Sequence, residues 1–400
     1  FLSRQSGLWA GSLMMFLAAF LCSSCSNMLI AVGEKSGRLN YEELMLDVFG
    51  DAGLHAFALF VGVLSFGSMA AYLIIVGDTF PRVMLASGFT TGALTNRNSV
   101  IALFGSFGML PVSLLKDLSN LSYVSFVSIM ADVLLTLIVL FAGPSEAREQ
   151  DDADRSGVLA FIRPTVFAGL GAMSFAFGGQ TASFLLYRSM TKRGEQRWAW
   201  VSRWSLSIAL GFGLALGVGG YLSFGDKTQG NILNNFSADH RAANVARGLL
   251  AVTMLFTYPM AMYIGRHVID VSVFQTLLAK GPTTSARHYG ITVGMWALTM
   301  VVSVSTDDLG FVLEIFGAFG SSALNYILPA LLYIYSNQRE LRAATDVWRK
   351  GSVEYAPALG ERLRAMRKFV VPMFAAFFGV VAMVTGVVTS IVASLEQTKT

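Results

Sequence analysis

Charge is scarce in this 400-residue chain. Only 14% of it is Asp, Glu, Lys or Arg, against 54% hydrophobic residues and a mean hydropathy of +0.58. That leaves no stretch polar enough to build a soluble domain of any size. The net charge of +4 is no nucleic-acid signal, because the basic residues sit in short connections between apolar runs. Histidine is scarcer still, at four residues. His55, His240, His267 and His288 fall in connections or at the ends of apolar runs, without metal-ligand spacing or a triad partner, which argues against an enzyme. The two cysteines, Cys22 and Cys25, make a C-x-x-C inside an apolar run, away from any redox partner, and read as small packing residues.

Long apolar runs are what the chain does have. Roughly 20 mostly apolar residues cross the ~30 Å hydrocarbon core as a helix. Ten runs approach that length: 7–33, 53–77, 98–115, 121–142, 164–188, 199–222, 243–265, 289–304, 309–335 and 369–395. They predict an all-α polytopic membrane protein, with residues 1–400 forming a single transmembrane domain. Nineteen of the 29 Lys and Arg lie in one set of alternate connections and ten in the other, so the richer set is predicted to be cytoplasmic and both ends of the chain outer or lumenal. Arg4 ahead of an apolar run suggests a signal peptide, but Leu21 stands where cleavage wants a small residue and the run is too long. The connection 143–163 is acidic and reads as a disordered outer loop. The connection 336–368 is basic, with Trp348 interleaved; it is expected either as a helix along the cytoplasmic surface against anionic lipid or as a solvated hinge. Asn235-Phe236-Ser237 is a glycosylation acceptor on the predicted outer side.

An ordered series of motifs then resembles the amino acid/auxin permease family, in its sodium-coupled neutral amino acid transporter branch. The motifs are Gly33-Glu34-Lys35-Ser36-Gly37 with Tyr41-Glu42-Glu43-Leu44 and Phe49-Gly50, then Tyr72-Leu73-Ile74-Ile75-Val76-Gly77-Asp78 with Pro81. Phe175-Ala176-Phe177 with Gln180 and Tyr187 comes next, then Gly220-Tyr221-Leu222-Ser223-Phe224-Gly225-Asp226 leading to Asn231-Ile232-Leu233. The series ends with Phe256-Thr257-Tyr258-Pro259, Arg266 and Ile327-Leu328-Pro329. The resemblance implies a LeuT-like (APC superfamily) five-plus-five inverted-repeat fold with one extra helix, eleven spans in all. Ten are present here, and residues 1–7 resemble the segment just after the family's first helix, so the chain is expected to lack that helix. It further implies secondary active transport of amino acids, neutral ones, coupled to sodium or protons, with no cofactor, no nucleic-acid partner and a plasma-membrane or vacuolar/lysosomal-type location. A membrane protein that binds amino acids without moving them, as a sensor or a degenerate product, is the alternative.

In such transporters the substrate sits at mid-membrane between discontinuous helices. The span 164–188 is expected to be one of them. Gly178 and Gly179 let the backbone leave the helix, and the freed N–H and C=O groups would receive a zwitterion, with Phe175 and Phe177 walling its side chain and Ala176 and Gln180 completing the substrate site. Small-residue packing at a helix crossing is the plainer reading of the two glycines. Gln180 departs from the His common at this position in the family. Thr253 and Thr257 share a helix face one turn apart, and Pro259 frees a carbonyl near them; Thr257 matches a family position implicated in sodium coordination. The plainer reading is a hydroxyl bonded to its own helix's carbonyl. Asp132, near the middle of 121–142, is expected to face the bundle interior, serving proton coupling or bonding Ser125, Ser128 or Thr136. Glu314 is expected near the outer end of its span, reaching water, where it could bind a proton or cation. Gly213 and Gly217 read as a helix contact.

Overall fold

A computed structural model describes residues 7–115, 122–149, 167, 169–278, 281–338 and 359–397, and every regular element among them is helical. The helices are α1 (Leu8–Ser36), α2 (Tyr41–Ala86), α3 (Arg97–Leu103), α4 (Leu110–Ser113), α5 (Ser122–Glu149), α6 (Leu170–Ala176), α7 (Gln180–Ser189), α8 (Glu195–Phe224), α9 (Arg241–Ile269), α10 (Ser285–Ser305), α11 (Leu309–Phe316), α12 (Leu328–Ser336) and α13 (Leu359–Gln397). Wider π turns join α3 to α4 (Phe104–Met109), extend α9 (Asp270–Leu277) and link α11 to α12 (Gly317–Ser321 and Ala323–Ile327). Among the described residues, seven helical stretches are long and apolar enough to cross a membrane: Leu8–Ser36, Tyr41–Ala86, Phe126–Arg148, Glu195–Lys227, Arg241–Leu277, Leu309–Ser336 and Lys368–Val392. The other expected runs are helical too, but shorter or in pieces. Residues 98–115 form α3, a π turn and α4; 164–188 contains α6 and α7; and 289–304 lies within the 21-residue α10.

Local chemistry sets the boundaries. Asn40 caps α2 by accepting the Glu42 N–H (3.1 Å), with Glu42 and Glu43 in the first turn where the helix dipole favours acids. Gly50, at φ 66°, then breaks α2 into a short leading piece and the long span. Asn96, Thr284 and Asp308 cap α3, α10 and α11 in the same way as Asn40.

Two of the buried clusters pass through the segments of interest here. One joins α1, α6, α12 and α13 through Cys22, Cys25, Leu170, Met173, Phe177, Tyr326, Ala330 and Phe378. The other joins α2, α3, α9 and α10 through Met69, Leu73, Ile101, Tyr258, Met262 and Met295. Cys22 and Cys25 have the packing role expected of them: both are buried, with their Sγ atoms toward the Phe177 carbonyl (3.2 Å) and the Tyr326 carbonyl (3.8 Å). Gly213 makes a helix contact, since a methyl there would lie 2.7 Å from Met15 of α1, but Gly213 and Gly217 also line the cavity described below.

Four expectations are overturned by packing. Residues 143–149 are not loop but the end of α5, where Glu146 is buried and its carboxylate accepts the Ser237 N–H (2.6 Å). Residues 150–163, like Trp348 in 339–358, lie outside the described residues, while 359–368 begin α13. Asp132 does not face the interior. It is exposed although Ala131 beside it and Thr136 one turn on are buried, and its backbone carbonyl accepts the Thr136 hydroxyl (2.8 Å). Asn235 is buried and its amide is used within the loop: Nδ2 donates to the Lys227 carbonyl (2.9 Å) and Oδ1 accepts the Gln229 N–H (2.9 Å). That burial argues against a glycan on Nδ2. The loop is held this tightly because Arg247, fully buried, donates to the carbonyls of Leu233 (2.8 Å), Phe236 (2.7 Å) and Ser237 (3.1 Å). The fourth correction concerns Glu314 and belongs to the site.

Candidate functional site

The chain leaves helix between α6 and α7. Phe177 closes α6, its N–H reaching the Met173 carbonyl (3.2 Å), and the Gly178 N–H bonds back to the Phe175 carbonyl (3.0 Å). α7 restarts at Gln180, with no side chain capping it at Gly179. The paired glycines explain the break, because each weakens a helix by roughly 1 kcal/mol relative to Ala. The break is open: Ala176, Gly178 and Gly179 are exposed, and a methyl on Gly179 would meet nothing within 4 Å.

Around it the structure separates the residues that line space from those that build walls. Ala176 and Phe177 line a cavity of about 250 Å³, together with Met15 of α1, Met173 of α6, Leu216 and Tyr221 of α8 and Gln229 in the loop after α8. No charged side chain among the described residues lines it. Phe175 is absent from this lining and packs beside Gly317. Gln180 points elsewhere as well: its buried Nε2 donates to the Cys22 carbonyl (2.9 Å), and its Oε1 accepts the Ser183 hydroxyl (3.2 Å). Its amide serves the α1–α7 contact.

One helical stretch, Leu309–Ser336, grips α6 at both ends. Glu314 of α11 is only 2% exposed, so it does not reach water as expected; its Oε1 accepts the Gly171 N–H (3.0 Å) and its Oε2 the Ala172 N–H (2.8 Å). A carboxylate on the first N–H groups of a helix satisfies donors that have no partner inside it and meets the positive end of the dipole. The approach requires bare backbone. A methyl on Gly171 would stand 2.2 Å from the Glu314 carbonyl oxygen, and one on Gly317 would stand 2.1 Å from the Gly171 carbonyl. At the other end, Asn325 Nδ2 donates to the Ser174 carbonyl (2.9 Å) and the Ser322 hydroxyl to the Ser174 hydroxyl (3.1 Å). Sequence reasoning missed Asn325, although a lone amide amid the apolar residues of 309–335 is a signal of this kind.

Thr253 and Thr257 each donate along their own helix, to the Leu250 carbonyl (2.8 Å) and the Thr253 carbonyl (2.7 Å). A hydroxyl that gives its proton this way keeps its oxygen lone pairs, so the bonds fit the plainer reading and leave the oxygens able to ligate a cation.

Residues 3–356 match the model of a protein family described as transmembrane amino acid transporter protein. Among curated proteins, the chain is 29% identical over 345 residues to a Danio rerio protein named "Putative sodium-coupled neutral amino acid transporter 11", covering 84% of this chain and 75% of the relative. It is 28% identical to the Homo sapiens protein of that name, covering 83% and 80%. It is 26% identical to the Saccharomyces cerevisiae vacuolar amino acid transporter 2, covering 82% and 70%.

Proposed function

Since the chain belongs to the transmembrane amino acid transporter family, which makes it a multi-span membrane transporter and not an enzyme, we propose that it moves neutral amino acids by secondary active transport. The observation that carries the reading is the open break at Phe177–Gly179 beside an apolar cavity. Hydrocarbon cannot satisfy an interrupted helical backbone, so such a break is tolerated where it lines a cavity that water or a ligand fills. The uncapped N-terminus of α7 suits the carboxylate of a zwitterion, and carbonyls at the end of α6 suit its ammonium. Phe177, Met173 and Leu216 suit an uncharged side chain, and the absence of charge from the described lining favours neutral substrates. Phe175, Gln180 and the Glu314 clamp act as supports of that seat.

The finer architecture is proposed on the same basis: a LeuT-like inverted repeat with ten spans in this chain, in which 164–188 is a broken helix. Sodium is the coupling ion in this reading. The names of the vertebrate relatives and the paired oxygens of Thr253 and Thr257 support it. The test is uptake of labelled neutral amino acids by cells expressing the full-length protein, removing sodium and the proton gradient in turn. Saturable uptake that falls when sodium is removed is expected; uptake that persists without sodium and collapses without the proton gradient would reassign the ion. No uptake of any amino acid by correctly inserted protein would overturn the reading.

A further inference from the structure

The size and walls of the cavity beside the helix break bear on which neutral side chain it accepts. At about 250 Å³ it is well above the volume of about 150 Å³ at which an apolar protein cavity already takes up benzene. A phenyl ring or a branched aliphatic chain therefore fits. The space arises where side chains are missing. Ala172 and Ala176 of α6 and Gly213, Gly217 and Gly220 of α8 all face it, and none reaches further than a methyl.

The three glycines recur at i, i+4 and i+7, so they share one face of α8 and form a wall of bare backbone. Neighbours close both ends of that wall. A methyl on Gly213 would stand 2.7 Å from Met15 Cε, and one on Gly220 would stand 3.0 Å from Ile232 Cδ1. Gly217 lies between them, one turn from each. The remaining apolar walls include Met15 of α1 with Met173 and Phe177 of α6. Thioether chains adapt to the shape of what they touch, and an aromatic ring favours a second ring beside it.

We propose that this cavity selects neutral amino acids with large apolar side chains, of leucine or phenylalanine size, and that Gly217 sets the upper limit. The inference rests on the transport reading above, in which the head groups of the zwitterion sit at the break and its side chain passes Ala176 and Phe177 into the cavity. Each further methylene buried there favours binding by about fourfold. Alanine as substrate would leave most of the apolar wall to water and forgo that gain. A charged side chain would lose its hydration and find no opposite charge in the described lining.

The experiment is a size series: kcat/KM for labelled alanine, valine, leucine and phenylalanine in cells expressing the full-length protein. The value is expected to rise at least about tenfold from alanine to leucine, with phenylalanine at or above leucine. Gly217→Leu places a branched chain in the middle of the bare wall, and the leucine-to-alanine ratio is expected to fall at least about tenfold. Because that filling can strain the fold, Gly217→Ala is measured beside it; one methyl should lower the ratio by roughly fourfold. No uptake of any amino acid by inserted protein removes the transport reading and this inference with it. Uptake that is flat or falls from alanine to phenylalanine, or a ratio unchanged in the Gly217 variants that insert, overturns the inference alone.

Discussion

Two glycines eight residues apart should respond to the same substitution in opposite ways. Gly179→Ala adds a methyl that meets nothing within 4 Å, in the open break between α6 and α7. With no contact to strain, folding stability should stay within about 0.5 kcal/mol of the parent. Gly171→Ala adds a methyl 2.2 Å from the Glu314 carbonyl oxygen and 2.7 Å from the Ala318 nitrogen. Those atoms are backbone of a packed helix and cannot rotate away, so the cost belongs at the top of the overpacking range, about 3 kcal/mol. Against a total stability of roughly 5–15 kcal/mol this is a visible loss. Function should run the other way. At Gly179 the methyl occupies the place where a substrate carboxylate would approach the α7 N-terminus. A misfit of about 1–3 kcal/mol there corresponds to a loss of roughly 5- to 150-fold in kcat/KM. Melting curves and labelled-amino-acid uptake on the same preparations separate the two effects. Wild-type kcat/KM in Gly179→Ala would remove the seat from the break, and a parental melting midpoint in Gly171→Ala would refute the close backbone approach.

Individual contacts give three further outcomes. Glu314→Gln keeps one acceptor but loses the charge and one of the two N–H bonds at α6; melting should show a loss of about 1.5–3 kcal/mol, and an unchanged midpoint would count against the clamp. Asn235→Gln should leave electrophoretic mobility unchanged with or without glycosidase while lowering stability by about 1–3 kcal/mol; a glycosidase-sensitive band lost in the variant would contradict the buried amide. Thr257→Ala should raise the sodium concentration needed for half-maximal uptake, and unaltered sodium dependence would remove Thr257 from the cation site.

The helices were legible because hydropathy averages over many residues and the bilayer demands a length. The runs at 7–33, 199–222, 243–265 and 309–335 each correspond to helix. The double glycine was legible for a related reason: a local backbone preference shows in the residues that carry it, and the chain does leave helix at 177–179. Boundaries fared worse. α2 begins at Tyr41 and not near 53, because a short capped piece before Gly50 runs directly into the span. α5 continues to Glu149, because Glu146 finds a partner at Ser237 and belongs to the packed end of the bundle.

Polar residues were misplaced for a different reason. Depth along a helix can be counted from sequence, but the neighbour a side chain meets at that depth cannot. Asp132 and Glu314 were read by depth alone, the first as interior and the second as wetted, and the structure reverses both. The deciding fact for Glu314 is that another helix starts beside it. Arg266 obeys the same rule at the other pole: its guanidinium lies on the carbonyls of Ser113 and Leu115, where α4 ends. An acid meets the N–H end of α6 and a base the C=O end of α4, as the four unpaired groups at each helix terminus require. A short or broken helix in a membrane exposes more ends per residue than an unbroken span, and each end must find its partner on a different element. Buried ionisable residues in such a chain are therefore best tested first as caps of discontinuous helices and only afterwards as carriers of protons or cations. Glu314→Gln separates the two roles: a cap loses melting stability in the absence of any gradient, whereas a proton carrier loses only gradient-driven uptake.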